Sequence, residues 1–463
     1  MEIDSNIFAK EKIKRTLFKF AVPAIFALLV SELYNIVDTI YVGHYIGVTS
    51  LAAITIAFPI QKLLIALGLL IAIGTSTYAA RSLGENNISE FKKLIVTSLT
   101  LVLTLLTLVS FIVFVFRKPI FYMLGASDIT YALVNKYVSI ILLGGIFQSL
   151  SIVACYIMIS LKQTRALLYT NLIGAVLNII INYILIVMLG FGIEGAAIST
   201  VISQITAFIF AFYKFKNIIR DFNIEFSMHY IHTSITREIL TGIITIGFST
   251  FIIEIEDALV SVVLNNLLYS QGGEAAIVIV GVITKVSMFL FVTIIGISSA
   301  MQPIVAYNFG AKNYDKVKKV LITSIKTVLV ASFGFWLICM FFSNSIIGFF
   351  LKDSTLLNET VKAFRLCISL IPLTGVYYMG INYYQAIGEA KKSFLLSIYR
   401  EIIIFIPLAI LFVELFGIKG TWIAYPITDA IAALTSFYFL SKTLREDFNE
   451  LEISRKLKIK AHI

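Results

Sequence analysis

The sequence predicts an all-α integral membrane protein of twelve transmembrane helices, arranged as two parallel six-helix repeats. Three observations carry that prediction. Of 463 residues, 59% are hydrophobic and 14% charged, against roughly 25% charged in soluble domains, and the mean hydropathy is +0.93. Apolar runs of bilayer-spanning length, roughly 20 residues, recur along the chain, and in lipid such runs satisfy their backbone groups as helices. Two short patterns then return at almost constant separation. LGENNISEFKKLI (83–95) is echoed 226 residues later by FGAKNYDKVKKVL (309–321), and FGIEG (191–195) is echoed 225 residues later by FGIKG (416–420).

Taken in order, the spans fall at about 17–42, 51–80, 92–116, 132–159, 165–189, 195–214, 238–268, 275–306, 319–343, 360–387, 393–414 and 420–440. Residues 1–214 form an amino-terminal six-helix lobe and 215–237 a cytoplasmic linker. Residues 238–440 form a carboxy-terminal six-helix lobe and 441–463 a basic tail. Six spans per copy is an even number, so both copies enter the membrane in the same sense, related by an axis along its normal. Transporters are often built so, with the substrate path between the halves. Most Lys and Arg outside the spans lie in the amino terminus, the linker, the tail and the loops after spans 2, 4, 8 and 10. That asymmetry puts both termini in the cytoplasm.

The net charge of +10 is thus a matter of topology, and nucleic acid is not expected as a partner. Cys155, Cys339 and Cys367 sit inside apolar segments without ligand spacing, so neither a disulfide nor a metal site is expected. There is no HExxH, no Gly-rich phosphate loop and no nucleophile elbow, and His44, His229, His232 and His462 are scattered through loops and tail. An enzyme is not expected, nor any resident cofactor.

The first span carries Pro23, Glu32, Tyr34, Asn35 and Asp38. Pro23 removes one helical hydrogen bond and is the expected hinge. A carboxylate at membrane depth is costly unless protonated, paired or facing water. Tyr34, Asp38 and Tyr41 share a face. In span 5, Asn178 and Asn182 lie one turn apart, and Thr200 stands just inside span 6. Counted from the turns, Asp38, Asn182 and Thr200 all lie on the order of 10 Å from the outer surface. Tyr34, Asp38, Asn178, Asn182 and Thr200 are therefore the candidate coupling residues of the amino lobe, with interhelical hydrogen bonding as the alternative role. A shift of 225 places Val263, Ile403, Pro407 and Tyr425 at the positions of Asp38, Asn178, Asn182 and Thr200. The second copy lacks the set, which favours a specialised role for the first.

The carboxy half has its own intramembrane charges: Glu254, Glu256 and Asp257 in span 7, Lys285 in span 8, Arg400 and Glu401 in span 11, and Asp429 in span 12. Glu254, Glu256 and Asp257 are carboxy-lobe candidates for ion coupling, and Lys285 and Arg400 are expected to neutralise two of the acids. Tyr377, Tyr378 and Tyr384 in span 10 are candidates for a substrate surface, since aromatic faces hold flat cations.

The stretches LYNIVDTIYVG, LGENN, LNIIINYILI and GIEGAAIST, in this order through the first six spans, together with the six-plus-six repeat, resemble the multidrug and toxic compound extrusion (MATE) family over essentially all twelve spans. The chain is similar to the branch containing the DNA-damage-inducible and staphylococcal exporters. The resemblance implies a monomeric antiporter in a prokaryotic cell membrane, with a cavity between its two lobes. It would export cationic amphiphiles in exchange for H+ or Na+ by alternating access. Asp38, Asn178 and Thr200 match cation-site positions of that family. Asn182 departs from it, for an aspartate is common there, and the coupling ion is left open. A lone buried acid can still take up a proton, because burial penalises its charged form, or hold sodium with amide and hydroxyl oxygens. A flippase for lipid-linked sugars is the alternative within the superfamily. It is disfavoured by an amino-lobe polar set that is neutral or acidic apart from Lys62.

Overall fold

The computed structural model describes residues 12–351 and 354–460. The basic amino terminus up to residue 11, Lys352 and the last three residues with His462 lie outside the described residues. So do the side chains of Asn35 and of residues 446–460 in the basic tail.

Eleven helices among the described residues are long and apolar enough to cross a bilayer, and a bent pair makes a further crossing. In order they are α1 (Ile13–Ile46), α2 (Thr49–Gly84), α3 (Ile88–Val115), α4 (Asp128–Ser160), α5 (Ala166–Met188) and α6 (Gly192–Asp221). There follow α7 (Arg237–Gln271), α8 (Val278–Gly310), α9 (Tyr314–Phe341), the bent α10 (Leu356–Cys367 and Ile371–Ile387, meeting at 46°), α11 (Ala390–Phe416) and α12 (Ile418–Arg445). No strand occurs among the described residues, so the all-α, twelve-span expectation holds.

The duplication is visible in backbone conformation as well as in sequence. Three left-handed positions recur at the same separations: Asn86 and Lys312 (φ 58° and 55°), Lys162 and Gly388 (65° and 82°), Gly192 and Gly417 (59° and 61°). Left-handed backbone is costly for residues with a Cβ, so its recurrence at Asn86 and Lys312 marks a turn built twice on one plan. The same turns carry matching hydrogen bonds, Asn87 N–H to the Ser82 carbonyl and Asn313 N–H to the Asn308 carbonyl, both 2.8 Å. LGENN thus earns its place: Asn86 makes the turn, and the Asn87 side chain caps α3 by accepting from the Glu90 N–H at 3.1 Å. The Glu90 carboxylate in turn accepts from Tyr78 and Ser82 of α2 at 2.7 and 2.9 Å.

Packing divides the chain into two compact units, residues 18–258 and residues 259–463 with 11–17. Within the amino unit, α4 packs on α2, α3 and α6, and α5 on α6; within the carboxy unit, α10 packs on α9 and α12, and α11 on α12. The corresponding helices pair in both. Two boundaries differ from expectation. α6 continues to Asp221, well into the stretch read as linker, and what remains contains a short helix, Met228–Ser234, fastened to α3 by Thr97 donating to the Ser234 carbonyl at 3.0 Å. The first part of α7, up to Ala258, packs with the amino unit. The cause is close backbone approach. A Cβ at Gly74 of α2 would overlap the Ile243 carbonyl, and one at Gly247 of α7 would overlap the Leu70 carbonyl. Lipid supplies no hydrophobic drive between helices, so small residues that let backbones touch decide which helices pair.

Candidate functional site

Three helices of the amino unit bring their polar residues to one point. α1 ends in a wide π turn, Val42–Ile46, and α5 in another, Tyr183–Met188. The two wide turns pack against each other, and each also touches α6. Asp38 lies one turn before the first and Asn182 directly before the second. Gly190 and Gly192, at φ 67° and 59°, make the tight return that sets α6 alongside α5.

The result is a closed hydrogen-bond network. Asn182 Nδ2 donates to Asp38 Oδ1 at 2.8 Å and to Asn178 Oδ1 at 3.0 Å. Ser199 Oγ donates to Asn182 Oδ1 at 2.5 Å, and Asn178 Nδ2 donates to Ser199 Oγ at 3.2 Å and Thr200 Oγ1 at 3.4 Å. Tyr34 faces Asp38 and Thr200. Asn178 and Asn182 are both 0% exposed and Asp38 is 8% exposed. All five residues singled out from helical spacing are therefore neighbours. Sequence reading missed Ser199, the hydroxyl that ties the two asparagines together. It also missed Tyr137 of α4, which faces Asp38 and Tyr34 while its hydroxyl accepts from Gln61 at 3.1 Å. The signal for Ser199 was present, since it directly precedes Thr200 near the start of α6. Tyr137 offered none, as one tyrosine among 22.

Asp38 is the one acid of this network. Its partner at Asn182 is an N–H donor, so the carboxylate is held without a shared proton. The oxygens of Asp38, Asn178, Asn182, Ser199 and Thr200 form a donor set that suits a proton on the acid or a hard monovalent cation.

The charges of α7 pair differently from expectation. Glu254 binds Lys62 of α2 at 3.0 Å, and Asp257 and Glu32 also face that ammonium. Glu256 is buried and Asp257 exposed. All three α7 acids belong to the amino unit, not to the carboxy lobe where they were expected, because close approach of α7 to α2 carries them there. Lys285 is exposed and is not the partner of Glu254. Lys62 neutralises Glu254 instead, while Arg400 does pair with acids, Asp429 and Glu401.

The tyrosines of α10 are also placed differently. Tyr377 and Tyr384 are 1% and 0% exposed. The Tyr377 hydroxyl donates to the Leu396 and Ser397 carbonyls at 2.5 and 3.2 Å, and the Tyr384 hydroxyl bonds Thr443 at 2.8 Å. Inside a bundle a phenol must find a polar partner, so these two rings are committed to packing in the carboxy unit rather than to an open surface. Only Tyr378 of the three is partly exposed. Pro23 is buried within α1, which continues as helix on both sides of it.

The chain belongs to the MatE family, which it matches over residues 23–184 and 231–411, once in each half. It is 26% identical over 447 residues to the multidrug export protein MepA of Staphylococcus saprophyticus, covering 96% of this chain and 98% of that one. A solved structure described as MATE in complex with MaD3S matches with a TM-score of 0.89 at 25% identity, covering 97% and 98% of the two chains. An outward-facing multidrug resistance MATE transporter of the MOP superfamily matches with a TM-score of 0.87 at 25% identity, covering 94% and 96%.

Proposed function

We propose that this protein is a secondary antiporter that exports cationic, lipophilic compounds across the cell membrane in exchange for H+ or Na+, by alternating access. The observation that carries the reading is the Asp38 network, a single acid held by amides and hydroxyls from α5 and α6 at membrane depth. Such an acid is costly unless it has work to do in binding a cation or proton. Membership of the MatE family and the names of the relatives support the substrate class. Ion binding at Asp38 would alter the packing of α1, with bending at Pro23, and so favour release of substrate outward. Both termini would be cytoplasmic and the protein would act as a monomer, without a resident cofactor.

The flippase reading calls for unpaired intramembrane cations to meet diphosphates. Of the cations within the spans, Lys62 and Arg400 are engaged by carboxylates while Lys285 is exposed, so the two held among acids count against the flippase and Lys285 does not.

The test is uptake of a fluorescent lipophilic cation into inside-out vesicles, with proton and sodium gradients imposed separately. Accumulation under one gradient alone is expected, and that gradient names the ion. Asp38→Asn is expected to reduce accumulation to the level of vesicles lacking the protein while leaving the amount in the membrane unchanged. Full gradient-driven uptake by a well-expressed Asp38→Asn protein would remove the basis of this reading.

A further inference from the structure

The carboxy unit lacks the Asp38 constellation, yet it buries a charged cluster of its own between the corresponding two helices. Arg400 of α11 is 4% exposed and Asp429 of α12 is 0% exposed. Arg400 donates to Asp429 Oδ1 through Nε at 3.0 Å and Nη2 at 2.7 Å, and its Nη1 bonds Glu401. The Phe291 ring covers the guanidinium at 5.5 Å. The internal repeat locates the cluster: a shift of 225 carries Ala175, one turn before Asn178, onto Arg400, and Gln204, one turn past Thr200, onto Asp429. Each unit thus places buried polar chemistry between its fifth and sixth helices, with different residues.

Depth and charge together restrict what this cluster can be. Arg400 stands ten residues into α11 from Ala390, and Asp429 eleven into α12 from Ile418. Each is therefore about 15 Å from its helix end, near the middle of a hydrocarbon core of about 30 Å. An arginine does not give up its proton. With both acids ionised, the triad would carry one uncompensated negative charge at mid-membrane, where burying charge costs several kcal/mol. One buried carboxylate oxygen is left over to relieve it. Asp429 Oδ1 takes both guanidinium N–H groups, while Asp429 Oδ2 is buried and has no hydrogen-bond partner among the described residues. The hydroxyls of Thr421 and Thr428, on the same face of α12 at helical spacing, are likewise buried and without a partner there. Among the described residues, the other titratable groups facing the cluster are Tyr378 and Cys367 of α10 and Tyr425 of α12. A phenol or a thiol carries no positive charge in either protonation state, so none of the three supplies the missing one.

We propose that Arg400, Glu401 and Asp429 form a second proton-exchange site, in the carboxy unit, in which the two carboxylates hold one exchangeable proton, seated at Asp429 Oδ2. The proton makes the triad neutral, and its loss leaves a net negative charge. Its use in transport rests on the antiport reading above; its presence does not.

The experiment is infrared difference spectroscopy on the purified full chain in lipid, cycled between acid and alkaline buffer without substrate or gradient. The wild type is expected to show a protonated-carboxyl C=O band that Asp38→Asn leaves in place. Asp429→Asn and Glu401→Gln each turn the triad into one positive and one negative group, neutral without a proton. Either variant should therefore abolish that band. Loss of the band in either one upholds the site, and Glu401→Gln carries the test alone if Asp429→Asn does not elute as a monodisperse protein. Persistence of every wild-type carboxyl band in the folded variants, or absence of any such band from the wild type beyond the one Asp38→Asn removes, overturns it. Because no transport is read, failure here leaves the antiporter reading standing.

Discussion

Asn182 is the residue that closes the amino-unit network. It satisfies Asp38 with an N–H at 2.8 Å and accepts from Ser199 with its oxygen, so both ends of one amide are used. An aspartate at 182 would leave two carboxylates at hydrogen-bond distance, which ionise together only at high cost and tend to share a proton. Asn182→Asp is therefore expected to add a titration step to the pH profile of vesicle uptake, visible as a second group in the rate–pH curve. Asn178→Ala is a test of structure more than of coupling. It leaves the buried Asn182 side-chain N–H, Ser199 and Thr200 each short of one partner, at about 1–3 kcal/mol per unsatisfied group. A lower unfolding midpoint in a thermal-shift assay is the expected result. The residues of this site were legible because helical spacing is local: Asp38 with Tyr34, and Asn182 with Asn178, reveal a shared face before any partner is known. Ser199 was passed over because one hydroxyl beside another gives no periodicity to read.

At the scale of elements, α2 and α7 show why charge partners were harder to read than polar faces. Lys62 and Glu254 are 192 residues apart, and nothing in the apolar pattern of either helix points to the other. What joins them is glycine. Gly74 and Gly247 each sit where a Cβ would meet a carbonyl of the other helix. Gly247→Ala is expected to force the helices apart and destabilise the amino unit by about 1–3 kcal/mol, as overpacking does. Gly334→Ala in α9, where a Cβ meets nothing within 4 Å, is the matched control and should be neutral or slightly stabilising, since alanine is the better helix former. Thermal unfolding of both variants in detergent checks the pair. If Gly334→Ala lost as much stability as Gly247→Ala, close approach would not be the cause.

At the scale of the whole molecule, the repeat and the topology make one prediction together. Lys162 and Lys312 lie in tight turns after α4 and α8, both at left-handed backbone, and Lys118 and Lys419 lie on the opposite side by helix count. With Cys155, Cys339 and Cys367 buried, single cysteines at these four lysines are well suited to labelling in intact cells by a membrane-impermeant maleimide. Cysteines at 118 and 419 should react, and those at 162 and 312 should react only after the membrane is opened. Labelling at 162 or 312 in sealed cells would reverse the assigned orientation.

The sequence by itself determined the spans, the duplication and the amino-unit site. Bilayer thickness turns hydropathy into helix length, and helical geometry turns spacing into faces. Both are local properties that survive without knowledge of neighbours. The tertiary structure decided which charges meet. It gave Glu254 to Lys62 and Arg400 to Asp429 and Glu401. It enclosed Tyr377 and Tyr384, and carried the α7 acids into the amino unit. Each of those outcomes depends on how closely two distant helices can approach, and that is fixed by small residues and leftover hydrogen-bonding groups on both partners at once.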